Sequence, residues 1–393
     1  LYCKLPHSGL TIQPNGALGV CCAQNMDWDF GHISDTADIY DAWLNHKNMI
    51  NLKNDIKSEI SAACSACLNY KEISFNRWHK LNNVNYSSSY TSTPIDGKIR
   101  YLEFTTSNIC NQACATCSSF YSTKWIPIEQ EALEIGLPLD KWKKEPGGFN
   151  SFGHKYYRMT DEDIQKIFKI LPDLRILCIK GGEPFADDKN YKVLKELARV
   201  NPECRVDISS NAAKIPQKYL EILKNISFIT LSCSIDGINE TYEYIRSTSF
   251  NQTIDNIKKW KDADLTGSVS ISYTVSVYNF YHTPEFLLFF NENLLEEIKK
   301  ISISNWVRGP RFLSAASLFE ESKILEQIEI SENLDLREKR FDIECLRNRR
   351  KTLFEISDTE KIKNIEKFHK YTQFMNYKRG INIYDLHPQL LNI

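Results

Sequence analysis

The chain has 393 residues, of which 42% are hydrophobic and 25% charged, the composition of a folded globular protein rather than a disordered or fibrous one. That length allows one large core with a smaller attached unit. Its 49 Lys+Arg against 50 Asp+Glu leave a net charge of −1, which gives no support to a general nucleic-acid binder with a basic face.

In chain order, the opening LYCKLPHSGL has no long apolar segment and does not read as a signal peptide. GLTIQPNGALGVCC reads as a hairpin around the PNG turn. Ile39, Trp43, Met49 and Ile50 then fall at roughly helical spacing. CSAC follows at 64–67, and a polar, turn-rich stretch reads as a linker. From residue 99 the texture changes. Strand-like runs recur as IRYLEFT, LRILCIK, CRVDIS, FITLSCSI, SVSISYTVSV and ISISNW. Helical patterns at 161–170, 188–200, 214–225, 250–262 and 284–299 separate several of them. Strands alternating with helices imply βα units and a largely parallel sheet. Residues 118–160 interrupt this rhythm as a long insertion, either a substrate loop or a surface excursion. Residues 316–376 are charged and helix-rich. No apolar run approaches the roughly 20 residues that span a bilayer.

The expected fold is α/β: a partial (β/α)6 TIM-type barrel over 99–315 and a small N-terminal cysteine-rich domain over 1–80. A linker over 81–98 joins them, and a helical C-terminal extension covers 316–393.

The twelve cysteines cluster as CxxxCxxC, CC and CxxC. Such clustering favours metal or redox chemistry in a reducing, cytoplasmic compartment over a disulfide scaffold. Cys110, Cys114 and Cys117 stand in CNQACATC, just after the first strand of the barrel. A [4Fe–4S] cluster has four iron corners. Three soft thiolates on a tight loop hold three and leave the fourth for a bidentate ligand. A zinc site would need a fourth protein ligand or a water.

CxxxCxxC after a first βα strand resembles the signature of radical S-adenosylmethionine (SAM) enzymes. The family usually has an aromatic residue before the last cysteine, where this chain has Thr116. Later segments follow the family's order. Gly181, Gly182 and Glu183 of LCIKGGEPF match the segment that meets the SAM amino group. Ser209 and Asn211 of VDISSNAAK match the next strand end, which contacts ribose or carboxylate. Ser234 and Asp236 end the following strand; Asp236 either faces substrate or caps a helix. Arg246 is expected to pair with the SAM carboxylate, and Trp306 and Val307 to pack near adenine. The overall pattern resembles twitch-domain radical SAM proteins.

Cys3, Gly16, Cys21, Cys22, Cys64 and Cys67 are similar in spacing to the opening of the SPASM and twitch auxiliary-cluster domains. The resemblance implies a second [4Fe–4S] cluster on Cys3, Cys21, Cys64 and Cys67. Cys22 is the alternative to Cys21, because neighbours on a strand point to opposite faces. A structural zinc on four thiolates is the competing reading. Cys178, Cys204 and Cys233 read as small apolar residues, and Cys345 has no assigned role.

What the resemblance implies is reductive cleavage of SAM to a 5′-deoxyadenosyl radical, which takes a hydrogen atom from substrate. The first substrate class is a peptide, modified oxidatively by crosslink, thioether, epimerisation or side-chain oxidation. A small metabolite such as a sugar or nucleoside, an RNA substrate, and a non-catalytic Fe–S or zinc scaffold are the alternatives. An electron donor such as flavodoxin or ferredoxin is the expected partner. Tyr273, Tyr278, His154 and Lys180 are candidates for proton transfer, and none is singled out as the base.

Overall fold

The structure is a computed structural model. It describes residues 5–21, 29–55, 96–139, 156–293, 296, 298–307, 309–336, 341–343, 346 and 356–393. Its centre is one nine-stranded sheet with strand order β2-β1-β3-β4-β5-β6-β7-β8-β9. The strands are β1 Gly9–Ile12, β2 Leu18–Gly19, β3 Tyr101–Thr105, β4 Ile176–Lys180, β5 Arg205–Ser210, β6 Ile229–Ser234, β7 Gly267–Val275, β8 Lys300–Trp306 and β9 Phe341–Asp342. Among the described strands only β1 and β2 pair antiparallel; every other neighbouring pair is parallel.

The six strands read from the sequence are β3 to β8. The N-terminal hairpin, expected as part of a separate unit, joins them, since β1 lies parallel to β3 with Leu10 opposite Leu102. Its strands are short, and an exposed edge at β3 would leave backbone donors without partners. Among the described residues the sheet runs from β2 to β9, an order consistent with a partial TIM-type barrel.

Among the described residues the helices of seven or more residues are α1 Ile39–Asn45, α2 Lys47–Asp55, α3 Trp125–Glu134, α4 Asp161–Ile170, α5 Asp188–Val200, α6 Gln217–Leu223, α7 Asn239–Arg246, α8 Phe250–Asp262, α9 Thr283–Glu292, α10 Glu321–Glu332 and α11 Asp358–Arg379. Their starts are chemically marked. Thr160 and Asp163 form a reciprocal capping box on α4. Asp187 caps α5 and Ser249 caps α8. Gly380, at φ 65°, ends α11 in the left-handed conformation. Part of the 118–160 insertion is α3; residues 140–155 lie outside the described residues.

Alternation gives the sheet two unlike faces. Leu102, Phe104, Leu177, Ile179, Val206 and Ile208 are buried in the main core beneath the helices. On the opposite, inner face the register runs Thr11, Glu103, Cys178, Asp207, Thr230, Ser268 across six strands. A small apolar cluster of Leu5, Tyr101, Ile176 and Cys178, with Cys21 against it, closes the N-terminal end of that face. Cys204 and Cys233 are buried in the core and Cys178 in this cluster. Among the described residues no helix is long and apolar enough to cross a membrane.

Candidate active site

Loop 106–117 leaves the C-terminal end of β3, where catalytic groups gather in barrels of this type. Its first residues are anchored by one buried carboxylate. Thr106 Oγ1 donates to Asp187 Oδ2 at 2.8 Å, and Ser107 Oγ donates to the same oxygen. Asp187 Oδ1 accepts the Lys189 N–H at 2.9 Å, so the residue that starts α5 also fixes the start of the loop.

Further along, side chains from distant elements take the loop's backbone groups. Trp125 Nε1 donates to the Cys114 carbonyl at 2.9 Å and Tyr371 Oη to the Ala115 carbonyl at 2.5 Å. Arg379 Nη2 donates to the Ala113 carbonyl. Ala115 N–H donates to Ile245 at 2.7 Å, and Ala113 N–H to Ser247 Oγ at 2.9 Å. Cys117 N–H closes a turn on the Cys114 carbonyl at 2.9 Å. With the backbone held, Cys110, Cys114 and Cys117 are half-buried residues that form no disulfide. Burial first, and then Cys114 beside it, pushes the Cys110 thiol up to about 12.

The double glycine after β4 packs directly on this loop. Gly182 N–H donates to the Ser107 carbonyl at 3.1 Å and Glu183 N–H to the Ile109 carbonyl at 2.8 Å. A Cβ on Gly182 would stand 2.3 Å from Ile109 O, and one on Gly181, at φ +137°, 2.7 Å from Thr105 Cγ2. Only glycine permits this approach.

Glu183 is buried, 2% exposed. Its Oε1 accepts from Ser210 Oγ at 2.8 Å and its Oε2 from Asn211 N–H at 2.8 Å. Burial outweighs these bonds and pushes its carboxyl up to about 7. Asn211 Nδ2 donates to Asn111 Oδ1 at 2.7 Å and lies 3.9 Å from Cys110 Sγ. On the far side Arg246 ends α7. Its Nη2 pairs with Asp236 Oδ2 at 2.5 Å, and its Nη1 lies 3.8 Å from Cys114 Sγ. Burial acts against the guanidinium charge, but Asp236 and Cys114 hold Arg246 protonated.

The predicted positions therefore meet at one mouth: Cys110, Cys114, Cys117, Gly181, Gly182, Glu183, Asn211, Asp236 and Arg246. Asp236 neither caps a helix nor points freely outward. Its Oδ1 accepts the Thr274 N–H at 2.8 Å, and its other oxygen holds Arg246. Ser209 and Ser234 are partly exposed on the inner face at the ends of their strands. Val307 is buried after β8, its N–H on the Val275 carbonyl at 2.7 Å. Trp306 packs against Phe280, with ring centroids 5.8 Å apart. Tyr273 and Tyr278 are buried and bonded to Asn279 and Thr372, and Lys180 pairs with Glu103 at 3.0 Å.

The structure adds Ser210, Asp187, Tyr371 and Arg379, which the sequence reading left out. Ser210 was within reach, since strand parity turns it to the face opposite Ser209. Of the N-terminal cysteines, Cys21 packs against the inner-face cluster. Cys3, Cys22, Cys64 and Cys67, like Cys345 and His154, lie outside the described residues.

Residues 104–290 match the radical SAM superfamily, and residues 3–68 match SPASM, an iron–sulfur cluster-binding domain. The chain carries a radical SAM region over residues 104–290. No curated protein matches it. Among solved structures, this chain is similar to Streptococcus suis SuiB bound to S-adenosylmethionine. The two are 15% identical over 61% of this chain and 45% of that one, with a TM-score of 0.36. For anSMEcpe with bound AdoMet the values are 15% identity, 58% and 57% coverage and a TM-score of 0.40. For SuiB bound to precursor peptide SuiA they are 14%, 77%, 64% and 0.40. The chain spans about half the length of the first of these.

The residues at the mouth suit the groups that the family implies. Three thiols on one loop are the donor type that iron prefers. Among the described residues, no three His, Cys, Asp or Glu side chains are grouped to hold a single metal ion, so the thiols are a spread set. Iron's positive charge would offset the burial that keeps Cys110 protonated. Beside them, a buried carboxylate and a buried guanidinium match the ammonium and carboxylate of an amino acid. Arg246 Nε is buried with no hydrogen-bond partner among the described residues, so the mouth keeps a donor for a ligand.

Proposed function

We propose that this chain is a SAM-dependent radical enzyme that removes a hydrogen atom from a peptide and modifies it oxidatively. The observation that carries the reading is the meeting of Cys110, Cys114 and Cys117 with Glu183 and Arg246 at one end of the sheet. When bound, a [4Fe–4S] cluster and SAM supply a 5′-deoxyadenosyl radical.

Cys110, Cys114 and Cys117 hold the cluster. Glu183 receives the ammonium of SAM, and the bonds from Ser210 and Asn211 fix its carboxylate in place. Gly181 and Gly182 keep that carboxylate against the cysteine loop. Arg246 offers its guanidinium to the carboxylate of SAM, and Asp236 acts through Arg246 as a positioning residue. Ser209, Asn211, Ser234 and Val307 are assigned to the ribose and adenine. Cys3, Cys21, Cys64 and Cys67 would hold a second cluster, which would supply redox chemistry when bound. The pairing of radical SAM and SPASM matches in one chain supports the peptide class.

The test is anaerobic reconstitution followed by reduction with dithionite in the presence of SAM. The expected result is 5′-deoxyadenosine above a Cys110→Ala control, with about eight irons per chain from two four-iron clusters. No 5′-deoxyadenosine above the control would leave a metal-binding scaffold instead. Four irons with tightly bound zinc would remove the second cluster alone.

A further inference from the structure

A closed eight-stranded (β/α) barrel fills its interior with layers of branched apolar side chains. The inner face here is built otherwise. Towards the mouth, the register aligns Ser209, Ser232, Ser270 and Lys300 in one row. The next row is Ser234, Ser272, Ser302 and Asp342. Ser232, Ser270 and Ser302, which are not assigned to SAM, are partly exposed, and none makes a side-chain hydrogen bond among the described residues.

Deeper on the same face, Thr11 is 2% exposed, and its hydroxyl has no partner among the described residues. The buried Ser268 hydroxyl at the other end of that row has none either. Buried hydroxyls without partners are rare and call for an explanation. The charges on the face neutralise one another. Lys180 pairs with Glu103 at 3.0 Å, Arg205 with Asp207 at 2.8 Å and Lys300 with Asp342 at 2.9 Å.

We propose that the part of the substrate that enters the barrel is an uncharged group carrying hydroxyls or amides. This deepens the radical SAM reading and rests on it. An aliphatic group lodged here would leave the serine rows desolvated and unpaired, which disfavours its binding. A charged group would find every opposing charge already engaged. Hydroxyls both donate and accept, so they match amides and alcohols without a fixed polarity. A site built to hydrogen-bond rejects the analogue that lacks the group far more strongly than a greasy pocket rejects an extra one.

The test uses the full reconstituted chain with SAM and follows binding by calorimetry. The probes are end-capped pentapeptides of Asn and Ser, of Val, of Asp and of Lys, together with an uncharged disaccharide. The Asn/Ser peptide or the disaccharide is expected to bind, and whichever does identifies the source of the group. The paired substitution Ser232→Val with Ser270→Val should weaken that binding at least tenfold. If that pair does not fold, Ser232→Ala with Ser270→Ala should weaken it in the same direction. Equal binding of the Val, Asp or Lys peptide, no binding of any probe, or unchanged binding by the folded variant would overturn the proposal. The same preparation is assayed for 5′-deoxyadenosine without probe. If it forms, an adverse probe result removes only the substrate inference; if none forms, the radical reading itself fails.

Discussion

At the residue scale, Glu183 carries opposite demands. Its burial disfavours the carboxylate, so in the protein alone it stays largely neutral until the pH approaches about 7. An ammonium ligand needs the charged form. SAM affinity should therefore fall as pH drops through about 7. Glu183→Gln should flatten that dependence and lower affinity above pH 7 by about tenfold or more, the scale of one lost charged hydrogen bond. Stability should run the other way. A carboxyl whose folded pKa is raised stabilises the fold below its unfolded value near 4.5, and this contribution is lost as pH rises through about 7. Denaturation at pH 6 and pH 8 should show the Gln variant gaining on the parent at the higher pH. Equal SAM affinity of the two proteins at pH 8 would remove Glu183 from the ligand site.

At the element scale, the C-terminal helix α11 braces the cysteine loop. Its Phe368, Tyr371, Phe374 and Met375 are buried, and each large apolar side chain contributes about 1.5–3 kcal/mol of burial. Tyr371 and Arg379 use that anchorage to hold the Ala115 and Ala113 carbonyls. Arg379→Met would leave buried carbonyls without a donor, costing about 1–3 kcal/mol each. The expected outcome for Arg379→Met and Tyr371→Phe is faster iron loss to a chelator, with the helical circular-dichroism signal retained. Iron release at the parental rate from both variants would make the brace irrelevant to the cluster.

None of this bracing was legible in the sequence, because Arg379 and Ala113 are 266 residues apart and no local pattern links them. The strands β3 to β8 were legible, since buried apolar runs between helical patterns have few other readings. The two-residue β9 and the docking of β1 on β3 depend on which edge finds a partner, a property of the assembled sheet. The cysteine spacing was legible as chemistry. The engagement of Asp236 with Arg246 was not, because a carboxylate at a strand end reads equally as a cap, a ligand or an ion pair until its neighbours are placed.

At the scale of the whole molecule, the sheet brings segments from both halves of the chain to a single mouth. It leaves a hydroxyl-lined inner face behind that mouth and an apolar plug at the opposite end. Three thiolates at that mouth would leave one iron free for the amino-acid end of SAM. The most direct measurement is electron–nuclear double resonance on the reduced protein, with SAM labelled by 17O in its carboxylate and 15N in its amino group. Hyperfine coupling of both labels to the cluster is the predicted result. A reduced four-iron cluster that couples to neither label, with SAM in excess, would contradict it.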